Sequence, residues 1–87
     1  MRTQTTEKID RIAGEAIKAE RKRIGLSQKQ MAESISVTFQ QMQKYETGKN
    51  RISLSALVFM ERFAGINIDN ILAEARAEAA TIRKAKK

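Results

Sequence analysis

Cysteine, histidine and proline are all missing from this 87-residue chain. Without cysteine there is no disulfide framework and no reactive thiol. With histidine absent as well, zinc sites built from Cys and His fall away, as do imidazole acid–base catalysis and Cys–His nucleophile pairs. The remaining groups do not assemble a catalytic set, so the chain is not expected to be an enzyme, and no metal, cofactor or small-molecule ligand is implied. Long apolar runs are also lacking: the longest are four or five residues, against about 20 for a membrane-spanning helix. The opening residues MRTQTTEKID contain no apolar core, so they do not read as a signal peptide. A cytoplasmic location is the expectation. Glycine is scarce, with four at positions 14, 25, 48 and 65, and no strand-like alternation or internal repeat is visible. The length suits one small domain with a modest core.

What is present is basic charge, +7 in all. Residues 1–17 are neutral, Lys18 to Lys29 nets +4, Lys44 to Arg51 nets +2, residues 52–82 net −2, and Arg83 to Lys87 adds +4. The charge therefore gathers around the middle of the chain and in the tail. A polyanion facing one side would explain this, and so would an ordinary solvated surface.

Apolar spacing predicts an all-α chain of five helices. The first runs from about Thr6 to Ile24 on the stripe Ile9, Ile12, Ala13, Ala16 and Ile17, capped by Thr5 or Thr6 and stopped by Gly25. Gly14 interrupts that stripe, which marks either a close helix crossing or a firm helix beginning after it. The second spans Gln28–Ile35 and the third Phe39–Thr47, ended by Gly48. The fourth is capped by Ser53 or Ser55 and continues to Phe63 or Ala64, on Leu57, Val58, Met60 and Phe63. Asn67 caps the fifth, whose stripe of Ile68, Ile71, Leu72, Ala75, Ala79 and Ile82 runs deep into the C-terminus. There it forms an extended helix or frays from Ala80. The domain reading is a flexible N-terminus over residues 1–5, a helical domain over 6–79 with the helix-turn-helix at 27–48, and a basic tail over 80–87, disordered over Arg83–Lys87.

The densest signal lies at Ser27–Gly48. Ser27 stands three before Gln30 and Thr38 three before Gln41, two capping boxes eleven residues apart. Met31, Ala32, Ile35, Val37, Met42 and Tyr45 supply the apolar face. Two short capped helices around a tight turn make a helix-turn-helix, a unit that lays its second helix in the DNA major groove. On that helix Thr38, Phe39, Gln40, Gln41, Gln43, Lys44 and Thr47 face away from Met42 and Tyr45. Gln binds adenine N6/N7 and Lys reaches guanine O6/N7. Phe39 either meets a thymine methyl or turns inward to pack on the preceding helix. Gln28 and Thr38 at helix starts, and Lys49, Asn50 and Arg51 beyond the third helix, suit phosphates; Gln43 belongs to the same set.

Ser27, Gln28, Met31, Ala32, Ile35, Val37, Thr38, Met42, Tyr45, Glu46 and Gly48 stand at spacings that resemble the Cro/cI-type (XRE-like) helix-turn-helix family, with Arg21, Gly25 and Leu26 upstream fitting as well. The likeness covers about Ala19 to Leu72 and implies a five-helix, lambda-repressor-like DNA-binding domain. By the resemblance, base readers occupy the first, second and sixth positions of the third helix, here Phe39, Gln40 and Lys44. It places phosphate contacts in the Lys49–Arg51 loop. It pairs Glu46 with Arg21 as a structural ion pair, and it points to dimerisation through the C-terminal helices, here Ile66, Ile68, Ile71 and Leu72. Those four residues could instead simply complete the core. Ser36 departs from the family, which commonly has glycine in that turn.

The function expected is a sequence-specific, double-stranded-DNA-binding transcriptional regulator. The first choice is a small homodimeric repressor of phage or mobile-element type at a pseudo-palindromic operator. The alternatives are a DNA-binding antitoxin of a toxin–antitoxin pair and a protein-interaction module, such as an anti-activator, on the same fold.

Overall fold

The computed structural model describes residues 3–85 of the chain. Five helices follow in order: α1 (Gln4–Arg23), α2 (Gln28–Ser34), α3 (Phe39–Glu46), α4 (Leu54–Phe59), which runs on into a wide π-type turn at Met60–Ala64, and α5 (Ile68–Ala85). No strand occurs among the described residues.

Each helix begins where a short polar side chain can satisfy the first free N–H groups. Thr3, not Thr5 or Thr6, caps α1: its hydroxyl accepts from the Thr6 amide at 3.2 Å, and the Thr6 hydroxyl accepts from the Thr3 amide at 2.8 Å. The helix consequently takes in Gln4 and Thr5, two of the five residues expected to be flexible. Ser27 and Gln30 close a full box on α2, at 3.0 and 2.8 Å. The matching box on α3 is half made. Thr38 accepts from the Gln41 amide at 3.0 Å, but the Gln41 side chain turns the other way, where its Oε1 accepts from Asn50 Nδ2 at 3.4 Å. Ser53 caps α4, and Asn67 caps α5 by accepting from the Asp69 amide at 2.9 Å.

The turn between α2 and α3 is a Schellman stop with serine where glycine is usual. Val37 donates to the Ala32 carbonyl at 3.0 Å and Ser36 to that of Glu33 at 3.3 Å. Ser36 sits at φ 60°. A side chain in that region costs on the order of 1 kcal/mol, and the two reversed hydrogen bonds hold the conformation against it.

Ile17, Met31, Met42, Met60 and Ile71 are fully buried and form the centre of the core, with Ala32, Ile35, Tyr45, Ala56 and Ile66 around them. Each large side chain among them contributes about 1.5–3 kcal/mol of transfer free energy. Gly14 resolves as a close crossing: a Cβ there would lie 2.4 Å from the Tyr45 carbonyl oxygen and 2.8 Å from that of Glu46. Helix α1 can rest on the end of α3 only because that position carries no side chain.

Helix α4 departs from its expected stripe. Met60 is buried and Leu57 packs against the core, but Val58 is exposed and Phe63, expected inside, is 63% exposed. The wide turn bears on Phe63 alone, since Val58 precedes it. It ends with Ile66 donating to the Met60 carbonyl at 3.2 Å and Gly65 at φ 79°, so Ile66 drops into the core place that an unbroken α-helix would have given Phe63.

Helix α5 runs antiparallel along α1. Near its start Asn70 meets Glu20, and near its end Ile82 and Arg83 lie beside Thr5 and Ile9. It continues as helix through Ala85, the extended form of the two readings left open from Ala80; of the tail Arg83–Lys87 expected to be disordered, Lys86 and Lys87 lie outside the described residues. The reason is lateral support: Ile82 remains half-buried against α1, so the alanine-rich segment does not rely on propensity alone.

Candidate nucleic-acid interface

Helix α3 divides sharply between its faces. Met42, Tyr45 and Glu46 are buried, whereas Gln40, Gln43, Lys44 and Thr47 are exposed. Gln28 from α2 and Lys49 from the following loop join these four around one shallow groove, which no carboxylate lines. Two of the three expected base readers, Gln40 and Lys44, thus share a surface with three of the expected phosphate-contacting residues, Gln28, Gln43 and Lys49. The third, Phe39, stays 42% exposed at the start of the helix and does not close into the core. Thr38 is exposed, with its hydroxyl engaged as the cap.

Glu46 would otherwise set a negative charge beneath this groove. It is almost sealed from solvent and held from three directions. Arg21 Nε donates to its Oε2 at 2.6 Å, Arg21 Nη2 to its Oε1 at 3.1 Å, and Gln28 Nε2 to its Oε1 at 2.9 Å. The third nitrogen of Arg21 donates to the Leu26 carbonyl at 2.8 Å. A bidentate pair of this kind is geometrically specific as well as strong. It ties α1 to α3 and neutralises the acid in the reading helix. Gln28 accordingly spends one amide N–H on Glu46 and keeps the second for the groove it lines.

The loop after α3 is also more committed than its sequence suggests. The Asn50 amide donates to the Lys44 carbonyl at 3.1 Å and its side chain to Gln41. Arg51 Nε lies 3.4 Å from Asp10 Oδ2, with the guanidinium side chain still 51% exposed. The position of this loop is set by Gly48, at φ 75°, where a Cβ would come within 2.5 Å of the Arg11 Cα. That contact brings Arg11 into a second depression with Thr47 and Lys49, and Glu7 lines it too. Sequence spacing offers no sign of Arg11, since only the packing of α1 on α3 places it there.

Glu20 is a second residue without a sequence signal. It is buried and accepts hydrogen bonds from Arg23 (3.1 and 3.0 Å), the Asn67 amide (3.0 Å) and Asn70 Nδ2 (3.0 Å). The Arg23 guanidinium, then Asn70, lowers its pKa from the ordinary 4.5 to about 2, against an opposing effect of burial. Its function is to anchor the start of α5 on α1.

The residues expected at a dimer interface divide. Ile66 and Ile71 are each 2% exposed inside the core, so they cannot present a surface to a second copy. They follow the wide turn and the Asn67 cap, which aim them inward. Ile68 and Leu72 are half-buried and keep some surface. Large exposed apolar side chains lie instead on α4 and its wide turn. Among the described residues there is no cluster suited to hold a metal ion, and no helix is long and apolar enough to cross a membrane.

Comparison with known proteins agrees with this geometry. A helix-turn-helix family profile matches residues 17–71. An uncharacterized HTH-type transcriptional regulator of Rickettsia prowazekii is 48% identical over 63 residues, 72% of this chain and 48% of that protein. A transcriptional regulator in the ATPase CF(0) region of Rhodospirillum rubrum is 39% identical over 67 residues, 77% of this chain and 62% of that protein. The chain thus spans about half to three-fifths of the length of these two relatives. In fold it is similar to the clp gene regulator ClgR of Corynebacterium glutamicum, with a TM-score of 0.73 at 20% identity over 90% of this chain and 83% of that one. With the profile covering most of the chain and the capped α2–turn–α3 unit at its centre, the protein belongs to the XRE-like, Cro/cI-type helix-turn-helix family.

Proposed function

We propose that the chain is a sequence-specific, double-stranded-DNA-binding transcriptional regulator, acting as a small dimeric repressor of phage or mobile-element type at a pseudo-palindromic operator. The observation that carries this reading is the acid-free groove on α3, where Gln40 and Lys44 stand beside Gln28, Gln43 and Lys49 above a neutralised Glu46. With α3 in the major groove, Gln40 reads an adenine edge and Lys44 a guanine edge, with Phe39 against a thymine methyl. Gln28, Thr38, Gln43, Lys49, Asn50 and Arg51 hold the phosphates on either side and set register without reading sequence. Repression follows from occupancy: a bound dimer covers the operator and excludes polymerase. The relatives named as transcriptional regulators support the same reading.

The test is a nuclease footprint of the purified chain on DNA flanking its own gene. A protected inverted repeat, with centres one helical turn or a multiple of it apart, is the expected result. Absence of protection on any flanking DNA, together with a stoichiometric protein partner that co-purifies, would replace this reading with that of an interaction module or an antitoxin needing its toxin.

A further inference from the structure

Arg11 stands ahead of residues 17–71, the stretch that the family profile matches, so the family pattern assigns it no role. Two glycines nevertheless bring it to the end of the reading helix. At Gly14 the backbone of α1 lies against the carbonyls of Tyr45 and Glu46; at Gly48 a Cβ would fall 2.5 Å from the Arg11 Cα and 2.9 Å from its amide nitrogen. Side chains at these two positions would hold α1 off α3. Arg11 is consequently set by close backbone packing beside the end of α3, and it is exposed. Among the described residues no hydrogen bond or ion pair engages its guanidinium. It lines a depression with Glu7, Thr47, Gly48 and Lys49. Thr47 and Lys49 also line the groove that holds Gln40 and Lys44, so the two depressions share an edge and form one surface. Glu7 is the one carboxylate among the described residues lining the new depression, and it stands against two cations, Arg11 and Lys49. Asp10, next to Arg11 in the chain, has a side chain only 11% exposed and lies 3.4 Å from Arg51 Nε, so its charge is largely matched.

We propose that Arg11 is a further DNA-backbone contact, by which α1 holds a phosphate beyond the one met by Lys49 and extends the footprint of the domain past α3. The proposal rests on the reading of the chain as a DNA binder with α3 in the major groove. Three considerations select a phosphate as the group bound. The first is position. A recognition helix meets base edges chiefly with its N-terminal residues, here Phe39 and Gln40. Its far end, where Thr47 and Gly48 lie, approaches a sugar–phosphate strand, and a side chain packed against that end meets backbone, not bases. The second is chemistry. A guanidinium is a planar fork that matches two phosphate oxygens at once. The Thr47 hydroxyl in the same depression donates to the Gln43 carbonyl at 3.0 Å, so Arg11 supplies the fork. The third is cost. Arg51 shares its guanidinium with Asp10, whereas Arg11 breaks no ion pair to take a phosphate. Its backbone is already fixed by Gly48, so only the side chain has to be ordered on binding.

The test uses the whole chain and a duplex carrying the sequence protected in the footprint, with binding followed by fluorescence anisotropy at about 50–200 mM salt. Arg11→Ala is expected to lower affinity by about three- to tenfold and to reduce the slope of log affinity against log salt by about 0.9 for each bound chain. Arg11→Lys keeps the charge and should keep most of the slope. Preference among single-base variants of the site should match the wild type, because a phosphate contact carries no sequence information. Phosphate ethylation interference then locates the contact: one flanking phosphate should matter to the wild type and become indifferent in Arg11→Ala, with the rest of the pattern unchanged. A slope and an interference pattern that Arg11→Ala leaves as they were overturn the proposal while DNA recognition stands. A changed base preference also overturns it, since Arg11 would then be a reader. A merely structural role would lower the circular-dichroism melting temperature and weaken binding equally at every salt concentration, with the slope kept, and that result counts against it as well. A wild-type chain that protects no DNA removes both this proposal and the reading on which it rests.

Discussion

Single residues decide whether α3 can be used and what it reads. Lys44 and Arg51 are both basic and both exposed, yet they should behave differently. Lys44→Ala is expected to relax preference at one operator base pair, worth about 1–3 kcal/mol of discrimination. Arg51→Ala is expected to weaken all sequences alike and to flatten the salt dependence by about one unit. Affinities across a set of single-base operator variants at several salt concentrations measure both; uniform loss from both substitutions would undo the division into reader and clamp. Two backbone positions make opposite stability predictions. Ser36→Gly relieves the strain at φ 60° and should stabilise the chain by about 1 kcal/mol. Gly14→Ala would drive a methyl into the Tyr45 and Glu46 carbonyls and should destabilise by about 1–3 kcal/mol. Urea unfolding of the two variants is sufficient, and an unchanged midpoint for Gly14→Ala would mean that α1 and α3 separate freely.

Elements are held in place by two buried carboxylates. Glu46 joins α3 to α1 through Arg21. Removing Arg21 leaves a carboxylate under the reading helix with only Gln28 as partner, which should cost about 3–5 kcal/mol. The double replacement Arg21→Met with Glu46→Met should recover part of that loss, because the charge then goes with its partner; thermal melts of the single and double variants test the coupling. Glu20 joins α5 to α1, and its folded-state pKa is lowered to about 2. A lowered carboxylate pKa stabilises the fold fully above the unfolded value, and that contribution is lost as pH falls through the folded one. Stability should therefore decline from about pH 4.5 towards pH 2 through this residue. Glu20→Gln is expected to lower stability at neutral pH and to shallow the acid limb of the profile; an acid limb identical to that of the wild type would refute the anchoring role.

The whole molecule sorts its surface by chemistry. The acid-poor face of α3 and its loops lies apart in the chain from the neutral, apolar face of α4 and its wide turn, and α5 is folded back along α1. Much of this was legible in advance. The caps at Ser27, Thr38 and Asn67 and the stops at Gly25 and Gly48 are local events, settled by hydrogen bonds within a few residues, so their spacing predicts them. The same holds for the face of α3 that contains Gln40 and Lys44, because helical period alone separates it from Met42 and Tyr45. Where the reading was incomplete, two or more elements were involved. Ile66 and Phe63 exchanged places across a wide turn that no periodicity announces. Asn50 drew Gln41 out of its capping box, and the length of α5 depended on a neighbour distant in sequence.

The sequence by itself determined that this protein is a set of capped helices with a helix-turn-helix at residues 27–48, a basic middle and neither cysteine nor histidine. Those properties follow from composition and from interactions spanning three or four residues. Only the tertiary structure decided which carboxylates are buried and paired, that Gly14 is a crossing point and that Arg11 borders the loop after α3. It also decided that the apolar surface left over lies on α4 and not on Ile66 and Ile71. Each of these depends on residues far apart in the chain being pressed together, and burial, unlike helical phase, is a property of the packed whole.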